Sequence, residues 1–427
     1  VKFYRKLFRY GLSRVEYGTL RVREAFPGGE DYVLGGQRPG YRAEMRIVDP
    51  YFYKHCVLYG EIGFGEAYVA RYWETDDLNL TLRWFAQNAD RMPGFSGSSV
   101  TTWFLNILGF VNRVKHALRP NTVKISRKNI ADHYDIGNPL YELMLGKTMA
   151  YSCGIFRNER ESLDVAQERK FETLCRKLQL KKTDHLLEIG SGWGGFAIYA
   201  AKKYGCRITT VTISEQQYNY AKEKIRKAKL DKQIDLRIAD YRTLEGSFDK
   251  IVSIEMAEAI GFKYFDTYFG QLSRLLKPGG LIALQYITIP ESRFEQYLKN
   301  TDFIKIYIFP GSCLLSNLEV MKSLHRTSDL LLQDLETIGQ HYATTLRKWR
   351  LNVEKNRDKV LQMGYDEKFL RKWLYYLAYC EAGFAERAIN DVQVVLGRAN
   401  HTTYGDYNGQ TEPYRDPLAA QLQATVA

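Results

Sequence analysis

The 427-residue chain contains no run of about 18 uncharged apolar residues, so no segment is built to cross a bilayer as a helix. The nearest approach, Thr101 to Val111, is too short to span. Proline is sparse, at 11, and the 33 glycines follow no collagen period, which excludes fibrous and low-complexity classes. Hydrophobic residues make up 45%, enough for a core, so intrinsic disorder is excluded as well. The six cysteines (Cys56, Cys153, Cys175, Cys206, Cys313, Cys380) lack CxxC or other ligand-pair spacing, so neither a disulfide framework nor a metal site is expected. There is no apolar leader segment, and a reducing cytoplasm is the expected compartment.

Acid is locally scarce. Seven basic residues lie between Lys2 and Arg23 against the single Glu16, and Lys115 to Lys128 contains no acid at all. The formal charge is +12, which favours an anionic partner, nucleic acid or an acidic membrane surface. A solvated basic face is the plain alternative. Aromatics are plentiful: 31 Tyr, 21 Phe and 6 Trp.

Residues 1–90 carry short β-rich runs, Tyr41 to Val48 and Tyr51 to Leu58, broken by Gly and Pro. Gly63 and Gly65 then precede a helix, and Leu78 to Asn88 follows. This reads as a small α+β domain for lipid or dimer contact. Residues 91–128 read as a linker with an amphipathic helix, and 129–398 as the catalytic domain. Within it, His185–Ile189, Arg207–Thr212, Phe248–Ile254 and Leu281–Ile289 read as strands, with helices at Gly195–Tyr204 and Glu215–Lys229. That βα alternation predicts an α/β fold, a Rossmann-like parallel sheet with helices on both faces. Residues 291–390 read as a helical cap insertion before a last strand, Val392 to Leu396, and 399–427 as a polar tail.

The turn from Glu188 to Gly195 (EIGSGWGG) follows a strand and opens a helix. Its GxGxxG spacing suits a dinucleotide, yet the second strand ends Val211-Thr212-Ile213-Ser214, with no acid for an NAD ribose. Glu188, two residues before Gly190, instead suits S-adenosylmethionine (SAM), whose α-ammonium needs carbonyl and carboxylate partners. Leu276 to Gly280 (LKPGG) is the helix-to-strand turn usual in methyltransferase sheets.

With these segments in place the sequence resembles the cyclopropane-fatty-acid-phospholipid synthases and the related mycolic acid cyclopropane synthases. The carrying segments are His133 to Asn138, Tyr151 to Cys153, Leu187 to Phe196, Thr212 to Gln217, Asp249 to Gly261, Tyr307 to Gly311 and Tyr375 to Phe384. The resemblance implies SAM contacts at Tyr151, Ser152, Glu188, Gly190 and Gly192. It implies adenosine contacts at Thr212 and Gln217, and Asp240 with Tyr241 flanking the adenine. A strand-end cap for Thr212 and a core aromatic for Tyr241 are the structural alternatives.

The family reaction adds a methylene across a cis double bond of a phospholipid acyl chain. Methyl transfer leaves a carbocation, which aromatic faces stabilise without quenching, and a base then removes a proton so that the ring closes. The resemblance implies a bound bicarbonate as that base, caged by Cys153, Glu258, Ile287 and Tyr342, with Cys380 as a further pocket residue. Gln285 stands where many members have His. Gln donates a hydrogen bond but relays no proton, so bicarbonate is expected still to bind, with deprotonation tuned differently. The alternatives are C-methylation without ring closure, or a lipid- and SAM-binding protein without turnover. A nucleic-acid methyltransferase is disfavoured, because the place after the strand Phe248–Ile254 reads Glu255 to Ile260 (EMAEAI). The expected partners are therefore unsaturated phospholipid and an anionic membrane surface, with a possible homodimer and no nucleic acid. The enzyme is expected on the inner face of the membrane. Trp103 to Phe110, followed by Arg113, Lys115 and Arg119, is the candidate interfacial anchor.

Overall fold

In the computed structural model, residues 2–92 and 137–399 are described. The proposed anchor, His133 and the polar tail lie outside them. The chain opens with helix α1 (Lys2–Gly11) and the strands β1 (Tyr17–Glu24), β2 (Tyr32–Gly35) and β3 (Arg38–Ile47). Helix α2 (Tyr51–Val69), strand β4 (Trp73–Glu74) and helix α3 (Leu78–Gln87) complete this region. Its sheet order is β2-β1-β3-β4, with β1 and β3 parallel. Alternation sets the sheet's two faces. Leu20 and Val22 of β1 and Tyr41, Ala43, Met45 and Ile47 of β3 are buried, while Arg42, Glu44 and Arg46 face solvent.

The run Tyr51 to Leu58, expected to be extended, is the first half of α2. Phe52, Tyr53 and Cys56 are buried at helical spacing, so packing overrides the strand preference of the aromatics. Gly63 and Gly65 lie inside this helix, which is broken at Gly60 (φ 58°, ψ −133°). A Cβ on Gly65 would sit 2.6 Å from the Phe303 ring and 2.8 Å from that of Tyr375. That glycine lets the first region seat closely against the second.

The second region begins with α4 (Asn138–Leu145) and α5 (Leu163–Lys177). Then follow β5 (His185–Ile189), α6 (Gly195–Tyr204), β6 (Arg207–Thr212), α7 (Glu215–Lys227), β7 (Ile234–Ile238), β8 (Phe248–Ile254), α8 (Phe265–Leu275) and β9 (Leu276–Thr288). Next come α9 (Glu291–Lys299), α10 (Phe303–Tyr307), α11 (Asn317–Thr327), β10 (Leu330–Thr337), α12 (Gly339–Lys355), α13 (Arg357–Gln362), α14 (Glu367–Ala385) and β11 (Asn390–Arg398). The seven-stranded sheet runs β10-β11-β9-β8-β5-β6-β7. Strands β5 to β9 pair in parallel, whereas β11 and β10 are antiparallel additions. The α/β reading therefore stands, with one correction inside the cap. Leu330–Thr337 is an edge strand, so the helices fall in two groups on either side of it. Its exposed Leu331, Leu332 and Leu335 break the in-out alternation that marks a strand in sequence.

Polar contacts bind the two regions. Arg83 Nε and Tyr41 Oη both donate to Glu386 Oε1, at 2.7 and 2.6 Å, and Tyr379 Oη donates to Glu61 Oε1 at 2.6 Å. Helix α14 is thereby held against α2 and α3, and the first region supplies part of the wall of the cavity described next.

Candidate active site

A cavity of about 690 Å³ opens at the carboxyl ends of β5, β6 and β8, where an open parallel sheet places its ligands. Its floor is the glycine turn. Gly190 and Gly192 have φ of 96° and 48°, and a Cβ on Gly192 would meet nothing within 4 Å, so open space lies above it. Gly195 opens α6 so close to the preceding loop that a Cβ would stand 2.5 Å from the Thr148 carbonyl oxygen. That closeness brings the loop carrying Tyr151 and Ser152 over the cradle.

Glu188 ends β5 within the sheet, accepting a hydrogen bond from Thr210 Oγ1 at 2.5 Å. Burial raises its carboxyl to about 8, against the pull of Thr210 and Lys170. Beyond β6, Thr212 Oγ1 donates to Gln217 Oε1 at 2.9 Å and accepts from the Ser214 amide at 3.1 Å. Asp240 accepts from Arg242 Nε at 2.8 Å and Nη2 at 2.7 Å. Tyr241 packs edge-on against Tyr268 at 5.3 Å. Thr212 and Tyr241 thus each have a structural contact, and each also lines the cavity.

Tyr151, Ser152, Glu188, Gly190, Gly192, Thr212, Gln217, Asp240, Tyr241, Glu258, Ile287, Tyr342 and Cys380 all border this one space. Cys153 and Gln285 do not. The Cys153 thiol is buried and points to the carbonyl oxygens of Gly154 and Ile338, at 3.3 and 3.6 Å, and burial pushes it well above the ordinary thiol range. Gln285 is fixed within the sheet, its Oε1 accepting from Gln393 Nε2 at 3.1 Å.

The expected bicarbonate cage is the main correction. Glu255, one residue past β8, aims its carboxylate into the donors assigned to that anion. Cys153 N donates to Glu255 Oε1 at 2.8 Å, Gln285 Nε2 donates to the same oxygen at 2.7 Å, and Tyr342 Oη donates to Oε2 at 2.5 Å. The Ile287 amide donates to Glu258 Oε1 at 2.6 Å. The Cys153 amide, Gln285, Tyr342 and the Ile287 amide are thus held by carboxylates of the chain itself. A second anion here would have to displace the Glu255 carboxylate from these donors, and the buried Asp391 already shares Gln285 Nε2 at 3.0 Å. These residues do not fit bicarbonate.

Sequence reasoning missed Lys170 too. It is fully buried on α5, donates from Nζ to Ser152 Oγ at 2.5 Å, and attracts Glu255, Asp391 and Glu188 electrostatically. Burial lowers it to about 8. Glu258, desolvated and repelled by Glu255, is raised to about 8, and its Oε2 has no partner.

On the cofactor side the residues fit SAM: a buried carboxylate at the strand end, an open glycine floor and polar groups beyond β6. Tyr151, Glu188, Gln217 and Asp240 are the residues that would hold it. On the other side the wall is aromatic. Tyr151 and Tyr376 share a 2.8 Å hydroxyl contact, and Tyr342 stacks on Phe384 at 4.3 Å.

The profile of the mycolic acid cyclopropane synthetase family matches residues 122–394. The chain is 34% identical over 358 residues to tuberculostearic acid methyltransferase UfaA1 of Mycobacterium tuberculosis, covering 80% of this chain and 79% of that protein. It is 32% identical over 380 residues to the cyclopropane-fatty-acyl-phospholipid synthase of Escherichia coli, covering 86% and 90%. The cyclopropane synthase MmaA2 from M. tuberculosis superposes with a TM-score of 0.60 at 25% identity, over 64% of this chain and 98% of that one. CmaA1, a mycolic acid cyclopropane synthase solved with SAH and CTAB, superposes at 0.59 with 26% identity, over 63% and 97%.

Proposed function

The chain belongs to the mycolic acid cyclopropane synthetase family of SAM-dependent methyltransferases, and we propose that it adds a one-carbon unit to the cis double bond of an unsaturated phospholipid acyl chain, closing a cyclopropane ring. The observation that carries this reading is the continuity of one cavity. It joins the glycine cradle at β5 to an aromatic wall and a buried carboxylate cluster.

SAM supplies an electrophilic methyl group. The alkene is a weak nucleophile, so orientation and exclusion of water are what the protein contributes. The rings of Tyr151, Phe309, Tyr342 and Tyr376 border the cavity and supply faces for a cation, each worth up to about 2 kcal/mol when desolvated. A carboxylate at the far end then accepts a proton.

A second reading is C-methylation without ring closure, because relatives of both kinds are similar to this chain; UfaA1 is named a tuberculostearic acid methyltransferase. Vesicles of cis-unsaturated or fully saturated phosphatidylcholine, incubated with enzyme and SAM, test the proposal. A mass gain of one CH2 on unsaturated chains only, with ring protons in the NMR spectrum, is expected. Equal labelling of saturated chains overturns it, and a methyl doublet without ring protons favours the second reading.

We propose further that the enzyme works from a membrane surface. Among the described residues, no helix is long and apolar enough to cross a membrane. Helix α1 leaves Phe3 and Tyr10 67% and 74% exposed beside the exposed Lys2 and Lys6. Part of the basic cluster is spent internally. Arg5 pairs with Glu24 at 2.6 Å, Arg9 with Glu30 at 2.9 Å and Arg23 with Glu44 at 2.9 Å. Two aromatics beside two lysines make an interfacial surface. Replacing Phe3 and Tyr10 together with Ser should lower sedimentation with anionic vesicles by about threefold or more. Unchanged sedimentation of the folded variant rejects α1 as the contact.

A further inference from the structure

We infer that the proton acceptor of this enzyme is the Glu255 carboxylate, which takes the place of an external anion. The inference rests on the alkene reading above and supplies its base.

The local backbone is arranged around this side chain. Strand β8 ends at Ile254, paired in parallel with Gln285 of β9, and the Glu255 amide donates to the Gln285 carbonyl oxygen at 2.7 Å. Glu255 itself has φ of 48°, a left-handed conformation that costs a residue with a Cβ about 1–2 kcal/mol. Such a conformation persists only where its surroundings over-determine it. Here they do, because a peptide amide, a side-chain amide and a phenol converge on the carboxylate from three separate segments. Those three donors orient both oxygens, and the residue borders the cavity.

The donor set singles out Glu255 among the neighbouring acids as the group that carries the charge. Burial raises Asp391 and Glu255 alike, but Glu255 is the one that accepts from a peptide amide, a side-chain amide and a phenol together. Glu258 is raised by burial and by Glu255. Lys170 on α5 supplies the opposing cation, and Cys153, Tyr342 and Gln285 complete the set facing Glu255. One buried anion with one buried cation is electrostatically tolerable, whereas an added bicarbonate is not.

The chemistry balances without a further reactant. The alkene π electrons form the new C–CH3 bond as the C–S bond breaks toward sulfur, leaving neutral S-adenosylhomocysteine and a carbocation on the chain. Glu255 then accepts a proton from the new methyl group. The electrons of that C–H bond close the third side of the ring, and Glu255 becomes a neutral acid, which releases the proton to solvent after product leaves.

The test uses the full chain, SAM and cis-unsaturated phosphatidylcholine vesicles in carbon-dioxide-free buffer, with and without added bicarbonate. Wild-type turnover is expected to be the same in both, within about twofold. Glu255→Gln should lose about 10²- to 10⁴-fold in kcat, the range for a positioned general base, while keeping its affinity for S-adenosylhomocysteine. Glu255→Gly relieves the left-handed strain and vacates the donors, so its low turnover should rise with added acetate or bicarbonate. Wild-type turnover that requires bicarbonate overturns the assignment. So does Glu255→Gln within about tenfold of wild type, or a folded Glu255→Gly that no small anion rescues. A wild-type enzyme that modifies no unsaturated lipid in either buffer overturns the parent reading, and this one with it.

Discussion

Glu188→Gln should weaken the binding of S-adenosylhomocysteine by about 10- to 100-fold, the effect of losing one charge-assisted hydrogen bond of about 1.5–3 kcal/mol. Its isosteric amide keeps the shape of the site, so the loss is electrostatic. The sign of the pH dependence follows from burial. Without ligand, Glu188 is raised to about 8 and is protonated at pH 7. A ligand α-ammonium demands the carboxylate, so binding expels that proton. Wild-type affinity should therefore rise between about pH 6 and 7.5, by up to tenfold per pH unit. Calorimetry in two buffers of different ionisation enthalpy should register the proton. The variant should show neither effect, and a wild-type affinity flat with pH contradicts the assignment.

Lys170→Met should destabilise the protein by about 3–5 kcal/mol and abolish turnover. Lys170 is the cation that acts on Glu188, Glu255 and Asp391 together, and removing it strands buried negative charge. The variant should recover part of its stability at low pH. Glu188 has a folded-state value above that of the unfolded chain, so its stabilising contribution is present below about pH 4.5 and is lost as pH rises toward 8. Without the lysine the folded-state value rises further, so the loss still begins near pH 4.5 but continues to higher pH and grows deeper. Urea melts of wild type and variant at pH 5 and pH 8 check this. A difference between the two proteins that does not grow with pH argues that Lys170 acts through packing alone.

Four of the five parallel strands were legible in the sequence because they are buried and read as apolar blocks, whereas the half-exposed edge strand β7 was missed. The glycine turn that floors the cavity was legible for a related reason. Glu188, Gly190 and Gly192 sit at fixed offsets from a strand end, and strand ends are what periodicity locates. Helix α2 was misread because Tyr51 to Leu58 is rich in strand-favouring residues, and only tertiary burial makes it helical.

The carboxylate cluster was not legible, since its members come from separated strands and loops. Glu255 and Glu258 do stand three apart just past β8, a visible signal, but nothing in sequence tells which acid meets Gln285. Lys170 lies on α5 among Gln167, Phe171 and Leu174, and a lysine there reads as a solvent-facing residue. Its burial follows from the loop bearing Ser152. Cys153 was read as a cage donor through its backbone or thiol, and in the structure its backbone amide donates, to Glu255 Oε1.

The most direct measurement follows the fate of a labelled methyl group. With SAM carrying a trideuterated methyl and vesicles of cis-unsaturated phospholipid, mass spectrometry of the acyl chains counts retained deuterium. If a buried carboxylate removes a proton from the transferred methyl group, the product retains two deuterium atoms of the three. Retention of all three, or the absence of any mass gain on unsaturated chains, contradicts the account.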